Sequence, residues 1–196
     1  NGCELEPPPE LSGHQLKLFQ QLQLISGPKL GYVGNLEKEK IDIDLIKYLA
    51  EHRQDWNIIL IGSTHANPKI LELDSYPNIH FFGVVQYPDV RTWIKAFDIA
   101  ILPHLNSEKT QSMNPLKLYV YCSVGVPVVS TDIDNLDELK PFISIAGSHE
   151  DFMQKVEYLL AEKKKSISGD LKCCLDNNSW DRRVDQIIKE INGKWH

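Results

Sequence analysis

A lone lysine in an apolar segment is the residue of this sequence best placed to do chemistry. Lys117 is the single charge in segment 114–125, and Asn114 and Pro115 before it are typical of an N-cap and a first helical position. The free N–H groups and the positive dipole end of a helix N-terminus attract anions. A lysine there opposes the dipole unless an anion is near. The segment therefore predicts a phosphate site at Asn114, Pro115, Leu116 and Lys117. The alternative is a lysine stem that covers apolar surface while its ammonium reaches water.

Three further polar residues follow short apolar runs. Lys40, with Lys38, lies just after the run 30–34, and His104 follows the run 98–103 and a proline. Lysines at these positions could face the same crevice as Lys117, or they could form a solvated surface. A single histidine there could act in chemistry, or it could be a hydrogen-bonding wall residue. The sequence has neither GxGxxG nor a P-loop, and its histidines show no metal-ligand spacing.

Composition places the chain among soluble α/β proteins and limits its partners. It has 196 residues and a net charge of −6, which argues against general binding to nucleic acid or to an anionic membrane. We expect no transmembrane segment, because no apolar run is long enough. The start, NGCELEPPPE, lacks the regions of a signal peptide. Four cysteines without paired or zinc spacing predict a reducing, cytoplasmic location.

Short apolar runs alternate with amphipathic segments along most of the chain. The pattern predicts strands at 30–34, 57–62, 78–83, 98–103, 126–130 and 141–146, and helices at 41–52, about 88–97, 114–125, 149–162 and 179–191. Such alternation is typical of βαβ units with right-handed crossovers. The expected fold class is α/β, a Rossmann-like, doubly wound parallel sheet of about six strands flanked by helices.

Ligands of such sheets bind beyond the carboxyl ends of the strands, near the topological switch point. We expect three segments to meet there: the turn GNLEKEK, the loop PHLNSEKTQSMN and the helix N-terminus at 114. Residues 1–28 read as an interdomain linker followed by a peripheral helix, because a proline-rich start precedes HQLKLFQQLQL. Residues 29–196 read as the Rossmann-like domain with its C-terminal helix.

Six motifs in order resemble one family. GYVGNLEKEK, WNIILIG, NIHFFGVV, FDIAILPH, NPLKLYVYCSVGVPVVST and NSWDRR are similar to the C-terminal half of glycosyltransferases with the GT-B fold. The resemblance runs from about Gly31 to Trp180 and is strongest to family 4, whose retaining enzymes use nucleotide sugars and often build bacterial polysaccharides. It implies that this chain is the nucleotide-sugar-binding domain of a hexosyltransferase-type enzyme, without the acceptor-binding half.

The resemblance also implies partners and site residues. The donor would be a nucleotide-diphosphate sugar and the acceptor a glycan or a lipid-linked glycan, with no metal or other cofactor and no nucleic acid. Peripheral membrane association of the full-length protein would be compatible with such an acceptor. No catalytic residue is assigned. Diphosphate contacts fall on Gly34, Asn35, Lys40 and the segment 114–117, the nucleobase and ribose fall on Gly83, Val84 and Val120, and His104 lines the crevice.

Three positions depart from the family pattern. Asn35 stands where the family has a phosphate-binding arginine, and an amide cannot form the bidentate fork of a guanidinium. Val120 stands where related sequences carry a glutamate that accepts hydrogen bonds from ribose, and Ser112, eight positions earlier, replaces a second glutamate. These departures keep a second function open, a degenerate, non-catalytic Rossmann-like domain that acts as a binding or scaffold module. An unrelated doubly wound domain, such as a signalling receiver, is disfavoured because the first strand is not followed by an acidic cluster.

Overall fold

Six parallel strands form a single sheet at the centre of the molecule. The computed structural model describes residues 8–111, 116–134, 136, 138–162 and 169–193. The strands are β1 (Lys29–Val33), β2 (Asn57–Ile61), β3 (Ile79–Phe81), β4 (Ile99–Leu102), β5 (Val128–Thr131) and β6 (Ser144–Ala146). Their order is β3-β2-β1-β4-β5-β6, so the chain reverses its direction of winding between β1 and β4. The predicted Rossmann-like α/β fold is confirmed.

Helices cover the sheet. They are α1 (Gly13–Leu24), α2 (Ile43–His52), α3 (Val90–Ile94), α4 (Glu108–Gln111), α5 (Leu116–Val124), α6 (His149–Ala161), α7 (Gly169–Asn177) and α8 (Trp180–Gly193). Short 3₁₀ segments lie at 68–75, 87–89 and 140–142. Among the helices in the described ranges, none is both long and apolar enough to cross a membrane.

The central strands are apolar on both faces, as expected of a parallel sheet between two helical layers. The side chains of Ile58, Ile59, Leu60 and Ile61 in β2 are all fully buried. β1 pairs with β2 through Leu30 and Ile58, and with β4 through Leu30 and Ile99. β1 is therefore the central strand from which the sheet extends in both directions, and its carboxyl end lies at the switch point.

Local signals in the sequence account for several helix ends. Asp42 caps α2, where its Oδ1 accepts a hydrogen bond of 2.8 Å from the N–H of Leu45. The C-terminus of α5 forms a Schellman motif at Gly125, which has φ of 78°. In this motif Val126 N–H donates to Tyr121 O, and Gly125 N–H donates to Cys122 O. The predicted end of this helix is confirmed, whereas Asn114 and Pro115 lie outside the described residues.

Other elements differ from the sequence prediction. The strand expected at 141–146 is shortened to Ser144–Ala146 because Pro141, which has no N–H for a ladder, lies in a 3₁₀ turn. Helix α4 lies in the segment expected to be a loop, and α7 was not predicted. The helix expected at about 88–97 is a 3₁₀ turn followed by the short α3.

The helix predicted before the first strand is present as α1. Its Leu22 is fully buried, and the rings of Phe19 and Trp93 meet edge to face with centroids 5.5 Å apart. α1 thus packs against α3 at one side of the sheet.

Gly31 in the middle of β1 leaves room for the ring of Phe97, and this contact can be tested. A Cβ at position 31 would lie 2.2 Å from two carbons of that ring. We expect Gly31→Ala to lower the free energy of unfolding by about 1–3 kcal/mol, the usual cost of overpacking, as measured by urea denaturation. Gly147→Ala is the matched control because no atom lies within 4 Å of its added Cβ. Equal stability of the two variants would contradict this packing.

Candidate functional site

A cleft of about 390 Å³ opens at the carboxyl ends of β1 and β2. One wall is formed by the turns that follow these strands, including Gly34, Asn35 and Ser63. The opposite wall is the described start of α5, with Leu116 and Lys117. The cleft therefore lies where parallel α/β sheets bind ligands, next to the switch point between β1 and β4.

Two glycines bring the strand-end turns into direct contact. Gly34 N–H donates to Ile61 O at 2.8 Å, and Gly62 N–H donates to Gly83 O at 2.7 Å. A Cβ at position 62 would lie 2.0 Å from Gly34 O, and the φ angles of Gly34 and Gly62 are 141° and 149°. Other residues would be strained at both positions. The cleft surface at Gly34 and Gly62 is consequently formed by main-chain atoms alone.

Lys117 is the cation of the cleft. Its side chain lies across Gly34, where an added Cβ would be 2.1 Å from Lys117 Cε and 2.7 Å from its Nζ. The ammonium also sits 5.3 Å from the ring centroid of Tyr32. Within the part of the chain that the structure describes, no carboxylate forms an ion pair with it. Burial, with a contribution from the positive charge of Lys40, lowers the pKa of Lys117 to about 8.

Lys40 lies under the turn after β1 and already has a partner. Its Nζ is 3.2 Å from Glu37 Oε1, and the residue is only 8% exposed. Its carbonyl accepts a hydrogen bond of 2.8 Å from Leu105 N–H, which ties this turn to the segment after β4. The expected convergence of these two segments is thus present. Lys40 does not belong to the cleft lining, and it acts on Lys117 through its charge.

His104 is buried beneath the same turn. It is 1% exposed, and its Nε2 is 3.4 Å from the Tyr32 hydroxyl, which donates to Asn35 O at 3.2 Å. Burial, and then the charges of Lys117 and Lys40, lower the pKa of His104 to about 3. The imidazole is therefore neutral at physiological pH. His104 is therefore a buried, hydrogen-bonding residue below the cleft and does not line it.

The end of the cleft next to α3 is apolar. Val120, one turn after Lys117 on α5, is 8% exposed and lies in the lining together with Val90 and Ile94 of α3. Val84 lines the same end and is 60% exposed. This arrangement suits a flat, largely apolar group beside an anion, because burying apolar surface is favourable and the cation lies one helical turn away.

The structure brings together most of the residues singled out from the sequence. Six of them line the cleft: Gly34, Asn35, Val84, Leu116, Lys117 and Val120. Gly83 adjoins it through its hydrogen bond from Gly62, while Lys40 and His104 lie beneath it. Ser112, Asn114 and Pro115 lie outside the described residues.

Three of the residues that sequence reasoning missed hold the strand-end turns and Lys117 in place. Gly62 ends the run NIILIG just as Gly34 ends GYVG, so the repeated glycine after a strand was an available signal. Tyr32 and Tyr121 are the other two. Tyr121 accepts a hydrogen bond of 2.9 Å from Val33 N–H, and Tyr32 underlies Lys117. Nothing in their spacing distinguishes them from ordinary core aromatics.

A family model described as "Glycosyl transferases group 1" matches residues 27–162. Over 175 residues the chain is 31% identical to TuaH of Bacillus subtilis (strain 168), a protein named as a teichuronic acid biosynthesis glycosyltransferase. The match covers 86% of this chain and 44% of TuaH. The chain therefore spans about half the length of this relative.

Solved structures share the fold. The structure of Anabaena HepE in complex with UDP-glucose matches 90% of this chain and 52% of its own with a TM-score of 0.70, at 18% identity. Sucrose-phosphate synthase from Thermosynechococcus elongatus matches 91% of this chain and 49% of its own with a TM-score of 0.71, at 13% identity. At these identities the similarity establishes the fold alone. This chain again spans about half the length of each neighbour.

Burial of an unpaired lysine in the cleft should destabilise the ligand-free protein. The pKa of Lys117 is about 8 in the folded state and near its ordinary value of 10.5 when unfolded. Between these values the unfolded chain holds the proton while the folded chain does not, so stability rises with pH there, and below the window the whole penalty is present. We expect Lys117→Met to be more stable than wild type at pH 7, by about 2–3 kcal/mol.

This stability difference should shrink as the pH rises from about 8 to 10.5, the window between the two pKa values. Urea denaturation of both proteins across that range measures it, and other titrating groups cancel in the difference. Lys69→Met, at an exposed position, is the control. A wild-type protein that is more stable than Lys117→Met at pH 7 would contradict the argument.

Proposed function

Because this chain belongs to the family of glycosyl transferases group 1, we propose that it binds the nucleotide-sugar donor of a retaining glycosyltransferase. The cleft at the carboxyl ends of β1 and β2 would hold the donor. The diphosphate would lie against Lys117 and the glycine turns, and the nucleoside would lie along the apolar end near Val84 and Val120.

The observation that carries this proposal is the environment of Lys117. A largely buried ammonium without an ion-pair partner in the described residues is unfavourable unless a ligand supplies the negative charge. The main chain at Gly34, which the lysine crosses, leaves no side chain between the cation and the cleft. Diphosphate is an anion of suitable charge, and the N–H groups at the start of a helix such as α5 favour it further.

Main-chain groups supplement the lysine. Asn35 is exposed in the cleft lining, and its N–H forms no hydrogen bond within the described part of the chain. This N–H can therefore donate to a phosphate oxygen. The side-chain amide of Asn35 can donate a second hydrogen bond, although it lacks the charge and fork geometry of an arginine.

In the reaction that we propose, the bond between the anomeric carbon and the diphosphate oxygen breaks, and an acceptor hydroxyl oxygen bonds to that carbon on the same face. The hydroxyl proton passes to the departing diphosphate oxygen. Negative charge develops on the departing diphosphate. Lys117 and the N–H of Asn35 are positioned to stabilise this charge, and preorganised electrostatic stabilisation of this kind is often the largest contribution to catalysis. Lys40 lies near enough to add to the positive potential, although its pairing with Glu37 offsets part of its charge.

The acceptor would be bound by the half of the protein that lies beyond this chain, since the chain spans about half of its relatives. The match to a protein named for teichuronic acid biosynthesis supports a glycan, or a lipid-linked glycan, as the acceptor class. We expect this chain alone to bind the donor and to transfer sugar hardly at all.

One observation favours a second candidate function, a non-catalytic binding or scaffold module. Val120 lines the cleft at the position where the family resemblance leads us to expect a ribose-binding carboxylate. The two functions differ in two results: a scaffold predicts no sugar transfer by the full-length protein with any donor, and no functional effect of Lys117→Ala.

Calorimetric titration with UDP, GDP and their sugars tests donor binding. We expect Lys117→Met to weaken nucleotide binding about ten- to a hundredfold, because one charge-assisted hydrogen bond contributes about 1.5–3 kcal/mol. Wild-type affinity should fall as the pH rises through about 8, where Lys117 loses its proton, while phosphates remain ionised. Lys69→Met should bind like wild type at every pH. Absence of binding at millimolar nucleotide would refute the proposal.

Val120→Glu tests the fit of the nucleoside. A carboxylate at this position in the cleft lining can accept hydrogen bonds from ribose hydroxyls, so this variant should prefer UDP over 2′-deoxy-UDP. The ratio of the two dissociation constants should rise about tenfold relative to wild type. Val120→Leu, which keeps the position apolar, should leave the ratio unchanged. An unchanged ratio in Val120→Glu would show that the ribose does not lie beside residue 120.

A further inference from the structure

Tyr32 occupies an unusual position beneath the cleft. It lies in the central strand β1, is fully buried and contacts three groups from different parts of the chain. Its hydroxyl donates to Asn35 O at 3.2 Å and lies 3.4 Å from His104 Nε2, while its ring centroid is 5.3 Å from Lys117 Nζ. One side chain thus touches both residues that would hold the diphosphate.

The hydrogen-bond pattern fixes the direction of each bond. With the single hydroxyl proton of Tyr32 donated to Asn35 O, His104 Nε2 is assigned as the donor to the hydroxyl oxygen. His104 Nδ1 then carries only a lone pair, in keeping with its burial without a hydrogen-bond partner in the described residues. The neutral imidazole therefore holds the Tyr32 hydroxyl in place, and this hydroxyl holds residue 35.

The ring of Tyr32 acts on the ammonium. A cation above an aromatic face is attracted to the ring quadrupole, more strongly where water is excluded. The other charged or titratable groups that act on Lys117 in the described residues are Lys40, which repels it, and Glu37, which attracts it. Both belong to the turn after β1, and neutral His104 lies at the end of β4. The ring supports the charged form of Lys117 against burial.

We propose that Tyr32 is a positioning residue for anion binding, in which the ring stabilises the Lys117 ammonium over Gly34 and the hydroxyl, held by His104, fixes Asn35. The proposal rests on the proposed function, since it concerns the same diphosphate. It assigns two separable roles to one buried side chain. Tyr32→Phe removes the hydroxyl alone, whereas Tyr32→Leu removes both the hydroxyl and the ring.

The role of the ring is tested without any nucleotide. NMR titration of the Lys117 side chain in the ligand-free protein measures its pKa in wild type and in the two variants. Tyr32→Phe should leave that pKa unchanged, and Tyr32→Leu should lower it by about half a unit to one and a half units. An unchanged or raised pKa in Tyr32→Leu would overturn this part of the proposal. If Tyr32→Leu does not fold, a lowered pKa in Tyr32→Phe would do so instead.

The role of the hydroxyl is tested by titration with UDP. Tyr32→Phe should bind UDP about fivefold more weakly than wild type. Tyr119→Phe is the matched control, because Tyr119 of α5 is also buried, and its hydroxyl donates to Glu138, away from the cleft lining. It should bind UDP like wild type. Equal affinities in the two variants would overturn the hydroxyl's role. Failure of wild type to bind any of UDP, GDP and their sugars would instead refute the proposed function, and the NMR titration would still decide the role of the ring.

Discussion

The placement of one ammonium over bare main chain is the constraint on which this site depends. Lys117 lies across Gly34, above the Tyr32 ring, with no ion-pair partner among the described residues. Two neighbouring residues make this placement of the ammonium possible. Gly34 omits a side chain that would collide with the lysine, and the neutral histidine below adds no further positive charge. The sheet supplies the rigid frame, because β1 is paired on both sides.

The two lysines near the cleft differ in whether a carboxylate neutralises their charge. Lys40 is paired with Glu37 and connects the turn after β1 to the segment after β4. Lys117 is buried without an ion-pair partner among the described residues, so its charge destabilises the protein when no ligand is bound. Buried charges are ordinarily paired or neutralised. An anion that enters the cleft would relieve this penalty, so the cost of burying Lys117 and the proposed affinity for an anion would have the same origin.

The cleft combines a polar end and an apolar end within one helical turn of α5. Lys117 and Val120 are three residues apart, so they lie on the same face of the helix. The polar end consists of main-chain groups and Lys117, whereas the apolar end consists of aliphatic side chains from α3 and α5. In the proposed complex, a valine at position 120 would give up a hydrogen bond to ribose and leave an apolar surface. Selectivity for the nucleoside would therefore rest on shape and apolar contact.

The sequence by itself determined the fold class, the positions of most strands and the meeting of three segments at the switch point. It could do so because strand and helix periodicities are local and parallel strands share one carboxyl edge. It also singled out Lys117 and Val120, since a charge and its neighbour one helical turn away are read directly from spacing. Only the tertiary structure decided that Lys40 pairs with Glu37 and that His104 lies beneath the cleft. The same holds for the contacts of Tyr32 with Asn35, His104 and Lys117. Tyr32 and His104 are 72 positions apart, and contacts between such distant side chains depend on how the strands and turns pack, which no local pattern specifies.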